Sequence, residues 1–420
     1  MDQREPVPLH RNRDFLLLMG GQTVSSIGTR MSAVSFPLLV LAMTRSPAKA
    51  GLTGFFGTLP YALGYLAAGV LVDRWDRKRL MIVCDTLRAG AFASIPIAYA
   101  LGYLTVGQVW AVAFLEGTGF VFFSLAEFAA IPNIVDEAQI PLATAQNEAR
   151  LRGTAMAGQS LGGLLFGLSR VLPFLADAAS YSVSAISLVF IRVSLQRSTG
   201  DTPAGMVQAV KEGFGWLWQQ RFLRVCTLLI STSNFVAQAM ILTAVVLAKA
   251  RGGSAAVVGL VLAIGSGAAL AGSFAAPKIH RTISPKAAVC VFFVLLALVL
   301  MLFALPVPPL GIGFLFAAPA FFVPILNVVL TSYELLVIPD RLMGRVRSSI
   351  LLVSWGTLPL GSLIAGFLLQ ELGQTLTPLI LGGTMLLVTC GALASRSLAS
   401  VSGLPGGKQP EGDIEPDPAV

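Results

Sequence analysis

Charged residues are scarce in this chain. Asp, Glu, Lys and Arg together make up 12% of its 420 residues, whereas 55% are hydrophobic. Soluble globular domains contain about 25% charged residues, so the low proportion excludes water as the main solvent of the protein. The apolar residues are spread over the whole sequence and are not gathered in one terminal segment. The composition therefore excludes a soluble domain with a single anchor and indicates a polytopic membrane protein.

Residues that commonly bind metals or carry out catalysis are also few. The four cysteines lie far apart inside apolar runs without CxxC spacing, which argues against a disulfide framework and a zinc site. The two histidines are His10 and His280, and the sequence contains no H-E-x-x-H pattern, nucleophile elbow or phosphate-binding loop. We therefore expect no catalytic residues, no metal, no cofactor and no ATP-driven pump.

Long apolar runs predict an all-α membrane protein. A helix needs about 20 apolar residues to cross the hydrocarbon core, because its backbone polar groups must be satisfied within the segment. The sequence contains twelve such runs, which predict twelve transmembrane helices. They cover residues 15–43, 51–73, 80–101, 107–131, 152–170, 173–191, 222–247, 255–276, 287–307, 309–330, 348–370 and 376–396.

Basic residues are distributed unevenly between these runs. Two arginines lie within predicted helices; the connections on the side of the N-terminus carry about 22 Lys and Arg, and those on the other side about 5. Because connections rich in Lys and Arg stay in the cytoplasm, both termini are predicted to be cytoplasmic. The net charge of +8 follows from this asymmetry and, without a basic water-exposed face, does not predict a nucleic-acid partner.

The longest internal connection, residues 192–221, divides the chain into two halves of six helices, 15–191 and 222–396. Transporter folds built from two repeated halves bind substrate between them, near the bilayer midplane. Within the connection, the amphipathic stretch VQAVKEGFGWLWQQRFL predicts a helix lying on the membrane surface; a plain linker is the alternative. Residues 1–14 are expected to form a cytoplasmic segment without a secretory signal, and residues 397–420 a disordered cytoplasmic tail.

The connection after the second run reads GVLVDRWDRKRLM, starting at Gly69. A Gly, an acid four places on and a basic cluster in this loop resemble the signature of the major facilitator superfamily. The resemblance implies a conformational gate formed by Gly69, Asp73, Arg74 and Arg77. In that family the acid meets the start of helix eleven, which corresponds here to Arg347 and its neighbour, and this contact steadies the outward-facing state.

Asp76 stands where the broader superfamily has Gly, and the resulting DRxDR pattern resembles the branch of the enterobactin exporter and the macrolide-efflux proteins. Further stretches similar to that branch are GLTGFFGTLPYALGYLAAGVLVDR, AEFAAIPNIV, NEARLRGTAMAGQSLGGLLFG, DAASYSVSA and VIPDRLMGRVRS, so the resemblance covers most of residues 15–396. It implies secondary active transport, with proton-coupled export of a small amphipathic molecule such as a drug, siderophore or secondary metabolite.

Ionisable residues inside membrane helices are costly and therefore suggest function. Glu116 lies deep in the fourth run, on one helical face with Phe120, Phe123 and Glu127. An acid beside aromatic rings can hold a proton or an amphipathic cation, so Glu116 is our first candidate for proton coupling. The alternative is a buried acid bonded to a neighbouring helix.

Other ionisable candidates have weaker signals. Asp85 and Arg88 are spaced for a pair within one helix, and their position one to two turns from the loop favours a role near the gate. Asp177 is a candidate for the cavity, with stabilisation of its helix N-terminus as the alternative. Arg30 suggests an anionic substrate group, or a partner for Asp177 or Glu116.

Polar residues in three helices complete the candidate cavity. Gln22 lies on a polar stripe of the first helix, and Asn234 and Gln238 share a face of the seventh with Ser231. Asn327 is a polar residue of the tenth. Such side chains line cavities, but they also join helices by hydrogen bonds.

Two other classes of function compete with export. An importer or facilitator of the same fold generally needs more polar groups in its cavity than this chain offers, and an intramembrane enzyme lacks its ligands and nucleophile. The leading hypothesis is thus an exporter in the cell membrane, or the inner membrane of a bacterium. We expect its partners to be a small-molecule substrate, a proton and the lipid bilayer, and the protein to be a monomer.

Overall fold

The computed structural model describes residues 8–196, 206–279, 285–339 and 342–394, and within these ranges every regular element is helical. Nine helical segments of the described chain are long and apolar enough to cross a membrane. The count of twelve spans and the cytoplasmic termini stay predictions. The helices are α1 Arg13–Thr44, α2 Pro47–Arg74, α3 Arg77–Ala100, α4 Val106–Ile134, α5 Ile140–Leu168, α6 Leu172–Val189, α7 Met206–Gln219, α8 Arg221–Ala250, α9 Ala255–Ile279, α10 Pro285–Leu302, α11 Pro309–Val337, α12 Met343–Gly356, α13 Leu358–Glu371 and α14 Gly373–Ala394.

The side chain that precedes each of the first four helices, α1 to α4, caps the start of that helix. Asn12, Ser46, Asp76 and Thr105 each accept a hydrogen bond from the backbone N–H three residues later, at 2.8–3.2 Å. Such N-caps satisfy backbone donors that have no partner within the helix. Asp76, the residue that departs from the superfamily signature, therefore has a local structural role as the cap of α3.

Three elements differ from their predicted bounds. The helix α5 begins at Ile140, twelve residues before the predicted start, because its polar first half carries no hydropathy signal. The helix α7 forms within the predicted surface stretch and packs on α12 through Leu217 and Val346. The eleventh predicted span is broken at Thr357 into α12 and α13, since Pro359 has no N–H to continue the hydrogen-bond ladder.

Polar side chains of α8 stabilise the break between α12 and α13 by hydrogen bonds. Ser231 Oγ donates to the carbonyl of Val353 at 2.8 Å, and Asn234 Nδ2 donates to the carbonyl of Ser354 at 2.8 Å. Thr357 Oγ1 returns a hydrogen bond to the carbonyl of Ser231 at 2.7 Å. Two members of the predicted polar face thus join helices.

The two halves pack most closely at one end of the bundle, where α2 meets α13 and α5 meets α9. A Cβ built on Gly51 would lie 2.9 Å from the Cα of Gly366, and one on Gly163 would lie 2.7 Å from the Cα of Gly259. Only glycine allows backbones to approach this closely. This end, which we call the glycine-sealed end, is closed.

Candidate functional site

A cavity of about 250 Å³ lies away from the glycine-sealed end, between α1, α3, α4, α5 and α12. Five of the residues that line the cavity are ionisable and four are aromatic, so the cavity is amphipathic. The lining residues are Gln22, Ser25, Ser26, Thr29, Arg30, Arg88, Phe120, Phe123, Ser124, Glu127, Phe128, Asn147, Glu148, Arg150, Leu151 and Trp355.

Arg88 is the centre of a buried charge cluster at the inner wall of the cavity. Its Nη2 lies 2.9 Å from Glu116 Oε1, and its Nη1 lies 3.6 Å from Asp85 Oδ1. The guanidinium carbon lies 4.0 Å from the centre of the Tyr181 ring, and Nη2 also donates to Thr29 Oγ1 at 3.3 Å. An arginine buried among carboxylates and an aromatic face is stabilised both by charge pairing and by cation–π attraction.

Asp85 and Asp177 bring further acid to this cluster. Asp85 is fully buried, one helical turn before Arg88 on the same helix. Asp177 is also fully buried, and it accepts from Ser32 Oγ at 2.5 Å and Ser180 Oγ at 3.0 Å. None of the described cations lies within 4.0 Å of Asp177. The cluster thus places two carboxyl groups within 4.0 Å of one guanidinium, and Asp177 lies one helical turn from Tyr181, whose ring contacts that guanidinium.

A second ion pair lines the wider part of the cavity. Arg150 Nη2 lies 2.8 Å from Glu127 Oε1, and Arg150 Nη1 donates to the carbonyl of Gln22 and to Ser26 Oγ at 2.9 and 2.7 Å. The pair therefore joins α4, α5 and α1. Gln22 itself donates to Ser184 Oγ of α6 at 2.8 Å.

Arg30 is a third arginine that lines the same cavity. In the part of the chain that the structure describes, Arg30 makes no ion pair, although Arg88 and Arg150 both do. The predicted pairing of Arg30 with Glu116 or Asp177 is therefore wrong, because Arg88 occupies the position beside Glu116 and hydroxyl groups surround Asp177.

The other predicted cavity residues lie elsewhere. Asn234 faces the break between α12 and α13, Gln238 packs beside Gly361 of α13, and Asn327 is exposed on α11. Of the remaining predicted cavity residues, Arg30 and Gln22 line the cavity, whereas Glu116 and Asp177 lie outside its lining, in the buried region around Arg88.

The predicted gate residues separate into two groups. Asp85 and Arg88 belong to the charge cluster, whereas Arg77 Nη1 donates to the carbonyls of Ala129 and Leu195 at 2.9 and 3.3 Å, which ties α3 to α4 and to the segment that follows α6. Gly69, Asp73 and Arg74 are part of α2, but their surroundings lie outside the described residues.

Sequence reasoning missed Arg150, Tyr181 and Trp355. Arg150 lies just before the predicted start of its helix, so the hydropathy pattern places it in a connection. Tyr181 contacts Arg88 from another helix, and Trp355 reaches the cavity from the C-terminal half, with its ring centre 6.1 Å from that of Tyr61. No spacing within one helix indicates contacts of this kind.

Comparison with known proteins identifies the family. The sequence model of a family described as transmembrane secretion effectors matches residues 6–403. The chain belongs to this family. The resemblance to major facilitator transporters is thereby confirmed, and the protein is a membrane transporter and not an enzyme.

Characterised relatives are efflux proteins. The multidrug efflux pump Tap of Mycolicibacterium fortuitum is 25% identical over 390 residues, which cover 89% of this chain and 93% of that protein. The macrolide efflux protein A of Streptococcus pyogenes is 25% identical over 224 residues, 53% of this chain and 55% of that protein.

Solved structures share the fold. A mutant form of the nucleoside transporter NupG aligns with a TM-score of 0.75 at 12% identity, over 91% of this chain and 99% of that one. A bacterial homologue of the human lysosomal transporter Spinster, inward-facing and unoccupied, aligns with a TM-score of 0.70 at 14% identity, over 93% and 98% of the chains. At such identities the likeness shows the fold alone.

Proposed function

We propose that this protein exports small amphipathic molecules across the cell membrane by alternating access, driven by a proton gradient. The observation that carries the proposal is the amphipathic cavity, closed at the glycine-sealed end and bordered by a buried cluster of carboxyl groups. A substrate enters from the open side, and rearrangement of the two halves then exposes it on the other. The named efflux relatives support export over the alternative of an importer or facilitator.

The charge cluster supports protons as the coupling ion. Asp85 and Glu116 both pair with Arg88, so one of these carboxyl groups can bind or release a proton while Arg88 retains the other as its partner. Ionisable groups buried within a membrane protein commonly form proton relays. Glu116 is the most accessible of the three acids, since its side chain is 13% exposed, whereas Asp85 and Asp177 are fully buried.

Transport by purified protein in liposomes with an imposed pH gradient tests the proposal. A panel of lipophilic dyes should move against the proton flow in the wild type. Glu116→Gln should abolish gradient-driven flux, because the amide holds the hydrogen bond to Arg88 but cannot exchange a proton, and exchange of substrate across the membrane without a gradient should persist.

The matched control is Glu371→Gln, which removes the same charge from an exposed position at the end of α13 and should leave flux unchanged. Flux that ignores the gradient would refute proton coupling. Wild-type coupling in Glu116→Gln would remove Glu116 from the mechanism.

A further inference from the structure

Arg30 is the cavity's one cation without an anionic partner in the described part of the chain. It lies within two residues of the middle of α1, where an uncompensated charge is most costly in a membrane. Its guanidinium offers five N–H donors in a planar fork that matches carboxylate, sulfonate or phosphate oxygens. An anion from outside the protein would supply the missing partner.

The close approach of α5 fixes the position of Arg30 at the cavity wall. A Cβ built on Gly158 of α5 would lie 2.6 Å from the Cβ of Arg30, so the close approach of α5 holds the stem of the arginine. Ser26, one helical turn away on α1, already accepts a hydrogen bond from Arg150.

The carboxylates of the lining do not neutralise Arg30. Glu127 is paired with Arg150. Glu148 is exposed and lies ten residues along α5 from Gly158, about 15 Å at the rise of a helix. Among the lining residues, the charges without an ion pair are thus Arg30 and the distant, exposed Glu148.

Aromatic rings form the other side of the cavity. Phe120, Phe123 and Phe128 of α4 and Trp355 of α12 line it, and Tyr61 lies 5.3 Å from Phe120 between ring centres. Flat apolar groups pack well against such rings.

We propose that the cavity takes amphipathic anions, with an aromatic body against the α4 and α12 rings and one acidic group paired with Arg30. This inference rests on the proposed transport function and specifies its substrate class. It predicts discrimination against molecules of the same shape without the acidic group, because an arginine left unpaired within a membrane helix is costly.

A pair of fluorescent probes tests the charge alone. Anilinonaphthalene sulfonate and phenylnaphthylamine share one ring system and differ by the sulfonate. Binding is measured to purified protein in nanodiscs of zwitterionic lipid, by energy transfer from tryptophan, with empty nanodiscs as background. We expect the wild type to bind the sulfonate about tenfold more tightly than the neutral probe, the size of one charge-assisted contact.

Variants at Arg30 assign the preference to this side chain. Arg30→Gln should reduce affinity for the sulfonate about tenfold and leave the neutral probe unaffected, and Arg30→Lys should retain part of the preference. Arg170→Gln, which removes an exposed charge outside the cavity, should leave both affinities unchanged.

Equal affinity of the wild type for both probes would overturn the inference without any variant. A full preference for the sulfonate in Arg30→Gln would overturn it too. These binding measurements use no gradient, so they are independent of the transport test: absent flux with an intact sulfonate preference would refute the proposed function and leave the anion site standing.

Discussion

Arg88 holds together carboxylates from two helices, and its removal would leave them buried without compensation. Asp85 on its own helix and Glu116 on α4 both lie within 4 Å of the guanidinium, and the arginine side chain is 4% exposed. A buried charge that loses its partner typically destabilises a protein by about 3–5 kcal/mol. The cluster therefore contributes to folding as well as to the proposed coupling.

We expect Arg88→Met to lower the free energy of unfolding by about 3–5 kcal/mol, measured by denaturation of the purified protein. The double variant Arg88→Met with Glu116→Gln should recover part of that loss, because one of the stranded charges is gone. Arg170→Met serves as control and should change stability by less than about 0.5 kcal/mol. A double variant no more stable than Arg88→Met would show that the Glu116 contact is not coupled energetically.

The contacts of Arg88 show why contacts between helices cannot be predicted from the sequence. Asp85 and Arg88 are three residues apart, so their pairing is predictable from helical geometry and is confirmed. The contact of Arg88 with Glu116 joins residues 28 positions apart, and that with Tyr181 joins α3 to α6. The sequence contains no periodicity that relates such positions.

At the scale of helices, the glycine-sealed end determines how closely the two halves approach. The two largest contacts between the halves, α2 with α13 and α5 with α9, bring glycine against glycine. Two further hydrogen bonds cross between the halves, from Ser266 to Gln159 at 2.7 Å and from Ser46 to Gln370 at 2.5 Å. Packing and few polar contacts thus close this end, which can separate without breaking an ion pair among the described residues.

We expect Gly163→Ala to shift the protein towards a state open at this end. The new Cβ would lie 2.5 Å from the carbonyl of Ala255 and 2.7 Å from the Cα of Gly259, so the helices must separate by about 1 Å to reach ordinary contact distance. Spin labels attached at the exposed positions Arg170 and Glu371 measure the change: the population of long distances between the two labels should increase.

Gly167→Ala is the matched control, since it adds the same methyl group to α5 where no atom lies within 4 Å. Indistinguishable distance distributions for the two variants would show that the glycine contact does not set the conformational balance.

At the scale of the whole molecule, membrane topology is open to direct test. Fourteen helices are described, with α7 on the surface of the bundle and α12 and α13 sharing one span, which is consistent with twelve crossings. Twelve crossings would place both termini on one side, and the distribution of basic residues predicts that this side is the cytoplasm.

We therefore expect a green fluorescent protein fused after Val420 to fluoresce, and an alkaline phosphatase fused there to be inactive, because phosphatase requires export to fold. Cysteines at Lys49 and Arg170, introduced in a cysteine-free background, should react with a membrane-impermeant thiol reagent from outside the cell. An active phosphatase fusion would exclude a cytoplasmic C-terminus.

The sequence by itself determined that this protein lies in a membrane, that it is helical and to which family it belongs. Hydropathy acts over about 20 consecutive residues, and the motif after α2 occupies one loop, so both are readable along the chain. The tertiary structure decided which charges meet. The free energy of burying an ion depends on what neighbouring helices bring to it. Arg88 therefore pairs with acids of two helices, Arg30 has no ion pair among the described residues, and the polar face of α8 supports a helix break.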